Sequence, residues 1–263
     1  MKTGYKNRES EGIIEKALFI MAAMGVVGLA GTASASVIIT ENFSGDSGTS
    51  LTSVATPDGN TWVSSVTDRF KQDGSFATGG GVNEASLAFL PFTLTQGYVY
   101  ALQADIASDP GQEFAALGFS TGVGTSGDYI WDDGADQYAW MLRRGDGGTY
   151  SQIEARKGPN APASDQTKAS AAGNTMTIVL DTQNASNYSV TFYEEGAALG
   201  PTLSLGSAPA ITHIFIGVFD SAAPAFTGSF DNLTLSGNVV PEPSTAIILV
   251  LGALCVWGRR RFR

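Results

Sequence analysis

The sequence predicts an all-β domain, a two-sheet antiparallel β-sandwich flanked by an N-terminal signal peptide and a C-terminal hydrophobic helix. Three observations predict it. From Ser36 to Gly237 no convincing helical period appears, and short β-rich runs recur between Gly, Asn, Asp and Pro clusters at spacings of about 8–15 residues. Eleven such runs exceed a typical single sheet and favour two packed ones. The two chain ends differ from this middle in both charge and hydropathy.

The expected strands, in order, are Val37–Phe43, Thr61–Ser65, Ser86–Phe92, Tyr98–Ile106, Glu113–Ser120 and Gln137–Arg144. Thr149–Glu154, Thr175–Asp181, Tyr188–Tyr193, Thr212–Phe219 and Gly228–Leu235 complete the set. Tyr188, Val190 and Phe192 alternate with Ser189, Thr191 and Tyr193, the pattern of a half-buried antiparallel strand. Thr212–Phe219 is apolar on both faces, as expected of a strand inside a sandwich. Gly79-Gly80-Gly81 and Asp146-Gly147-Gly148 read as loops. No internal repeat is evident, which argues against a propeller or solenoid. The organisation expected is a signal peptide over 1–35, one sandwich domain over 36–237 and a terminal segment over 238–263.

Composition narrows the chemistry. The 263 residues are 43% apolar and 15% charged, with a formal charge of −10, one cysteine and one histidine. Residues 36–240 alone hold 7 basic and 21 acidic side chains, a net −14 that excludes a nucleic-acid binder relying on phosphate neutralisation. The lone cysteine excludes an internal disulfide, and the lone histidine removes most serine-hydrolase and zinc schemes. That histidine, His213, falls in an expected central strand, where a core imidazole bonded to a neighbour competes with a catalytic base.

At the N-terminus a basic stretch to Lys16 precedes the apolar run Ala17–Gly31 and then Ala33-Ser34-Ala35. Small residues at Ala33 and Ala35 suit signal peptidase, with the cut placed after Ala35. The competing reading is an uncleaved anchor, for which fifteen apolar residues fall short of the roughly 20 that span a bilayer. At the other end, Pro241-Glu242-Pro243 prevents helix until Ser244, which can N-cap Thr245–Trp257. Arg259, Arg260, Arg261 and Arg263 follow and hold the tail in the cytoplasm by the positive-inside rule. Cys255 lies within this helix as a small apolar residue.

The tripartite tail of Pro241, Glu242, Pro243 and Ser244, apolar helix and arginine cluster resembles the PEP-CTERM sorting signal. The resemblance implies a Gram-negative exopolysaccharide producer, transient inner-membrane anchoring and tail removal by an exosortase. It implies an extracellular-matrix or cell-surface destination and leaves the domain's activity open.

Within the domain, Glu41-Asn42-Phe43, Pro57-Asp58-Gly59-Asn60-Thr61-Trp62, Leu90-Pro91-Phe92-Thr93-Leu94, Leu117-Gly118-Phe119, Ile216-Gly217-Val218-Phe219 and Gly228-Ser229-Phe230-Asp231-Asn232 are similar to concanavalin A-like, laminin G-like jelly rolls. That superfamily contains lectins, glycosidases and structural domains, so fold alone does not choose among them.

Two constellations are candidates for chemistry. Gly127–Trp140 packs Asp132, Asp133 and Asp136 among Tyr129 and Trp131. Aromatic faces stack on sugar rings and carboxylates accept their hydroxyls or hold calcium, so these five are the candidate glycan-binding residues. The competing reading is an acidic turn leading into a strand whose Tyr138 and Trp140 face the core. Glu41 and Asp231, in the first and last strands, could hold a structural Ca2+ if the terminal strands pair, as related sandwiches commonly do. Otherwise they are polar strand-end residues.

A retaining glycosidase needs two carboxylates about 5 Å apart, and no Glu-x-Asp or Glu-x-Glu strand supplies them. Glu194 and Glu195 are adjacent, on opposite faces of a strand or in the Gly196 turn. Arg143-Arg144 and Arg156-Lys157 could meet an anionic polymer or pair locally. The leading expectation is a non-catalytic exported module that binds polysaccharide. A structural matrix component and a glycan-cleaving enzyme are the alternatives.

Overall fold

A computed structural model describes residues 35–64, 70–74, 77–79, 84–107, 113–124, 137–146, 150–157, 166–170, 173–220 and 228–239. They belong to one compact unit, Ala35–Val239. In chain order its strands are β1 (Ser36–Glu41), β2 (Val63–Ser64), β3 (Phe70–Gln72), β4 (Ala77–Gly79), β5 (Glu84–Pro91), β6 (Tyr98–Ala107), β7 (Glu113–Ser120) and β8 (Gln137–Asp146). They continue as β9 (Tyr150–Lys157), β10 (Gln166–Ser170), β11 (Thr175–Asp181), β12 (Ser189–Glu194), β13 (Ala197–Ala198), β14 (Leu203–Ser204), β15 (His213–Asp220) and β16 (Gly228–Val239). One 3-10 turn, Leu51–Ser53, buries Leu51. No helix among the described residues is long and apolar enough to cross a membrane.

The strands form two antiparallel sheets. One has nine strands, ordered β13-β12-β11-β6-β16-β4-β3, with β1 also on β16 and β14 also on β12. The other has seven, ordered β10-β9-β8-β7-β15-β5-β2. All eleven expected runs overlap observed strands, and Thr175–Asp181 and Glu113–Ser120 coincide with β11 and β7. The strands not foreseen are β3, β4, β10, β13 and β14. They are two to five residues long, and β10 (QTKAS) has no apolar alternation to announce it. Gly79 corrects its expected loop assignment: it ends β4 and pairs with Phe70 and Gly228, held by backbone bonds that need no side chain.

Alternation builds the core between the sheets. Met176, Ile178 and Leu180 point inward from β11 while Thr175, Thr177 and Val179 point out. Tyr100, Leu102, Ala104 and Ile106 from β6, and Ile214, Ile216 and Val218 from β15, meet in the same cluster. β16 keeps both Phe230 and Leu233 inside although they are three residues apart. An extra residue between Asp231 and Thr234 makes this possible, absorbed by Asn232 at φ 51. Asparagine tolerates that left-handed conformation better than most residues, which suits it to a bulge.

Candidate functional site

The seven-stranded sheet carries a second hydrophobic cluster on the face turned away from the first. It consists of Leu87, Phe89, Phe114, Ala116, Trp140, Leu142 and Phe215, each at most 1% exposed. Register explains how strands distant in sequence assemble it. Across the sheet Val63 pairs with Phe89, Phe89 with Phe215, Phe215 with Gly118, Gly118 with Trp140, and Trp140 with Arg156. The adjacent row runs Leu87, Gly217, Ala116, Leu142 and Glu154, with Lys168 at the register position beyond.

Gly118 is required by this packing. A Cβ there would lie 2.5 Å from Phe215 Cε1 and 2.6 Å from Trp140 Cβ, so the Phe215 ring occupies the space a side chain would need. Phe89 and Phe215 rings stand 6.0 Å apart at 43°.

The aromatic row ends in charge. The Arg156 guanidinium lies 5.1 Å from the centre of the Trp140 ring, within cation–π range. Arg156 Nη2 donates to Glu154 Oε2 at 2.6 Å, and Arg144 Nη1 lies 3.9 Å from Glu154 Oε1. Glu154 is buried, whereas the Arg144 side chain is 37% exposed. The Trp140 indole N–H is buried and has no hydrogen-bond partner among the described residues. His213 begins β15, at one end of an internal strand, edge-on to Phe89 at 6.3 Å, with Nδ1 2.8 Å from Thr212 Oγ1. It is half-buried rather than a core residue, and partial burial lowers its pKa and favours the neutral ring.

Of the expected glycan residues, Tyr129, Trp131, Asp132, Asp133 and Asp136 lie outside the described residues. Tyr138 and Trp140, expected to alternate into one core, instead separate. Tyr138 packs against the inter-sheet cluster and Trp140 belongs to the outer one. The cause is a register shift between Phe119 and Ser120, which leaves Tyr138 as the extra residue.

The terminal strands do pair, with Glu41 opposite Leu233 in β16. Glu41 is buried and its Oε1 accepts the Phe43 amide at 2.8 Å. That bond holds Phe43 at φ 50, where its ring packs against Trp62. Asp231 accepts the amide of Asn232 at 2.7 Å, and the Asn232 side chain bridges to Asp105 Oδ2 at 2.8 Å. Among the described residues no group of three His, Cys, Asp or Glu side chains converges. Calcium takes six to eight oxygens, so backbone carbonyls would have to complete a site built on Glu41 and Asp231.

Glu194 and Glu195 both grip the 173–175 turn. Glu194 Oε1 accepts the Gly173 amide at 3.0 Å, and Glu195 Oε1 accepts those of Asn174 and Thr175 at 2.7 and 2.9 Å. Arg143 reaches the same turn from β8, donating to Asn174 Oδ1 at 2.8 Å and to the Gly173 carbonyl. Lys157 Nζ donates to the Ser204 carbonyl at 2.7 Å. Sequence reasoning missed the outer cluster. The signal was present in β5, β7, β8 and β15, which carry apolar side chains at consecutive positions and not only alternate ones.

Neither the known family models nor the curated proteins contain a match to this chain. Among solved structures it is similar to one described under the endo-acting O-glycanases of the human gut microbiota that initiate mucin breakdown, with 10% identity and a TM-score of 0.49. That match covers 78% of this chain and all of the other. A lectin from Bauhinia forficata, solved with GalNAc, shows 11% identity and a TM-score of 0.47, covering 79% of this chain and 100% of the lectin. An immunostimulatory antigen and pseudo beta-1,3-glucanase of Mycobacterium tuberculosis shows 10% identity and a TM-score of 0.46, covering 77% and 98%. At these values the likeness assigns no activity.

Proposed function

We propose that this chain is an exported extracellular-matrix or cell-surface protein, and that its concanavalin-like sandwich is a non-catalytic polysaccharide-binding module. The export half rests on the sequence: cleavage after Ala35, brief anchoring in the inner membrane, and exosortase processing near Pro241-Glu242-Pro243-Ser244.

The binding half is carried by one observation, the polar rim of Arg144, Glu154, Arg156 and His213 that stands on the buried aromatic cluster of the seven-stranded sheet. A two-layer sandwich needs one apolar face per sheet, and alternation normally leaves the other polar. Here the second apolar face is itself buried, so what it offers a sugar polymer is a rigid base for the polar rim, where the Arg144 side chain is 37% exposed. Sugar hydroxyls can exchange hydrogen bonds with that rim. Trp140 fixes Arg156 from beneath, so that donor is oriented before a ligand arrives.

The catalytic alternative has less support on this face. Glu154 is the one carboxylate there among residues whose side chains are described, and it is held by Arg156 at 2.6 Å. A glycosidase needs a second carboxylate poised to exchange a proton. A calcium ion at Glu41 and Asp231 would be structural, tying β1 to β16, and the binding reading does not depend on it.

The test is affinity electrophoresis of the full chain in mild detergent through gels containing polysaccharides, including the producer's exopolysaccharide, with calcium and with chelator. Retardation is expected and supports binding. Unretarded migration of a folded protein in every gel overturns it and leaves a structural matrix role. A melting curve raised by calcium in the parent, but not in Glu41→Gln, is the expected sign of the structural ion.

A further inference from the structure

Resting on that carbohydrate-binding reading, we infer that the polymer recognised is anionic, a carboxylate-bearing polysaccharide of the polyuronate class, met at the β8–β10 edge of the seven-stranded sheet. The argument starts from where the cations sit. Residues 36–240 contain seven Lys and Arg side chains against 21 acids, yet five of the seven lie in three neighbouring strands: Arg143 and Arg144 in β8, Arg156 and Lys157 in β9, and Lys168 in β10. Those strands carry two acids, Asp146 and Glu154, so they are net positive in a domain that is otherwise strongly negative.

Direction along the strands divides the five. Arg143 turns to the Gly173–Asn174 turn and Lys157 to the Ser204 carbonyl. Arg144 and Arg156 lie on the aromatic outer face, both directed at Glu154, with Lys168 at the register position opposite that glutamate. Two guanidinium groups thus flank one buried carboxylate beside the Trp140 ring, and Arg156 is fixed by that ring at 5.1 Å. Guanidinium groups pair with carboxylates in planar, two-point geometry, which suits them to a uronate more than to a neutral hexose. Outside these three strands residues 36–240 hold 19 acids against two cations, a balance that on average disfavours a polyanion elsewhere on the domain.

The experiment uses the full chain in gels containing alginate or polygalacturonate, with dextran and a neutral β-glucan for comparison. Arg144→Glu tests the patch, and Lys71→Glu, on β3 of the other sheet, makes the same charge change elsewhere. Arg144→Gln serves as a second variant, and melting curves confirm that each is folded. Retention is expected to be stronger on the polyuronates, to fall as salt shortens the screening length, and to weaken about fivefold in Arg144→Glu. Lys71→Glu is expected to behave as the parent. Equal retention on neutral and acidic polymers, or equal losses in Arg144→Glu and Lys71→Glu, overturns the anionic inference and leaves the carbohydrate reading standing. No retention on any polymer overturns that reading itself.

Discussion

The outer faces of the two sheets are built on opposite rules. On the nine-stranded sheet the outward positions are Thr175, Thr177 and Val179 of β11, Gln103 and Asp105 of β6, and Thr191 and Tyr193 of β12. Hydrogen bonds tie them together and to the segment before β14: Thr175 Oγ1 to Asp105 at 2.7 Å, Thr177 Oγ1 to Gln103 at 3.3 Å, and Thr191 to Thr202 at 2.7 Å. On the seven-stranded sheet the equivalent positions hold Phe89, Phe215, Trp140 and Leu142, all buried. Burying a Phe or Leu side chain stabilises by about 1.5–3 kcal/mol. A hydroxyl that exchanges water for a neighbouring hydroxyl gains at most about 1 kcal/mol. The sandwich therefore closes on its inner faces, and the second apolar face is a further investment of sequence that closing the fold does not require.

The sharpest way to break this contrast is Trp140→Ala. If the outer cluster is packed as tightly as the core, the truncation costs about 3–5 kcal/mol in urea unfolding. Thr177→Ala on the opposite face should stay within about 0.5 kcal/mol. A Trp140→Ala cost near that of Thr177→Ala would mean the cluster is only loosely packed, and the contrast would fail.

The next effect separates two neighbours in sequence. Arg143 turns inward from β8 to the 173–175 turn, beside Glu194 and Glu195. Desolvation lowers its pKa and those two carboxylates offset only part of the shift; a guanidinium nonetheless stays charged at neutral pH. Arg143→Ala removes charge-assisted bonds to Gly173 and Asn174 and should cost about 1.5–3 kcal/mol. Arg144→Ala removes an ion pair at 3.9 Å from a side chain 37% exposed and should cost less than about 1 kcal/mol. Equal costs would show that the strand's two faces are not as distinct as the contrast requires. Gly118→Ala follows, because its methyl would displace the Phe215 ring, at about 1–3 kcal/mol.

How legible all this was depended on which physical signal each residue emits. β11 and β12 emit strict alternation, and the sequence located them within a residue. β3, β13 and β14 have two or three residues each, too short for any period, and exist because longer neighbours offer them backbone partners. The inward pair Phe230 and Leu233 would have contradicted alternation had Asn232 not absorbed the extra residue, and side-chain identity alone does not announce a bulge. Thr212–Phe219 was legible as apolar on both faces. It does lie inside its sheet, between β7 and β5, but a two-layer sandwich by itself buries only one face of each strand, so the second apolar face needed its own explanation. Tyr138 and Trp140 show the same limit. Their spacing puts them together, whereas the register shift beside Ser120 sends them to different clusters.

The smallest expected effect sharpens the contrast at its edge. His213 sits where the aromatic face gives way to solvent, and partial burial lowers its pKa below the ordinary 6.5. A base whose folded-state pKa is depressed binds fewer protons folded than unfolded, so its contribution to stability is present above the unfolded value. That contribution is lost as pH falls from 6.5 through the folded value. The melting temperature of the parent should therefore decline between about pH 7 and pH 5.5, more than that of His213→Gln, which cannot titrate there. The comparison is best made as the difference between the two proteins, since carboxylates titrating at lower pH contribute equally to both. Parallel curves would mean that protonating His213 costs the folded state nothing, placing the ring in solvent rather than against Phe89. The boundary of the apolar face would then run inside β15, between His213 and Phe215.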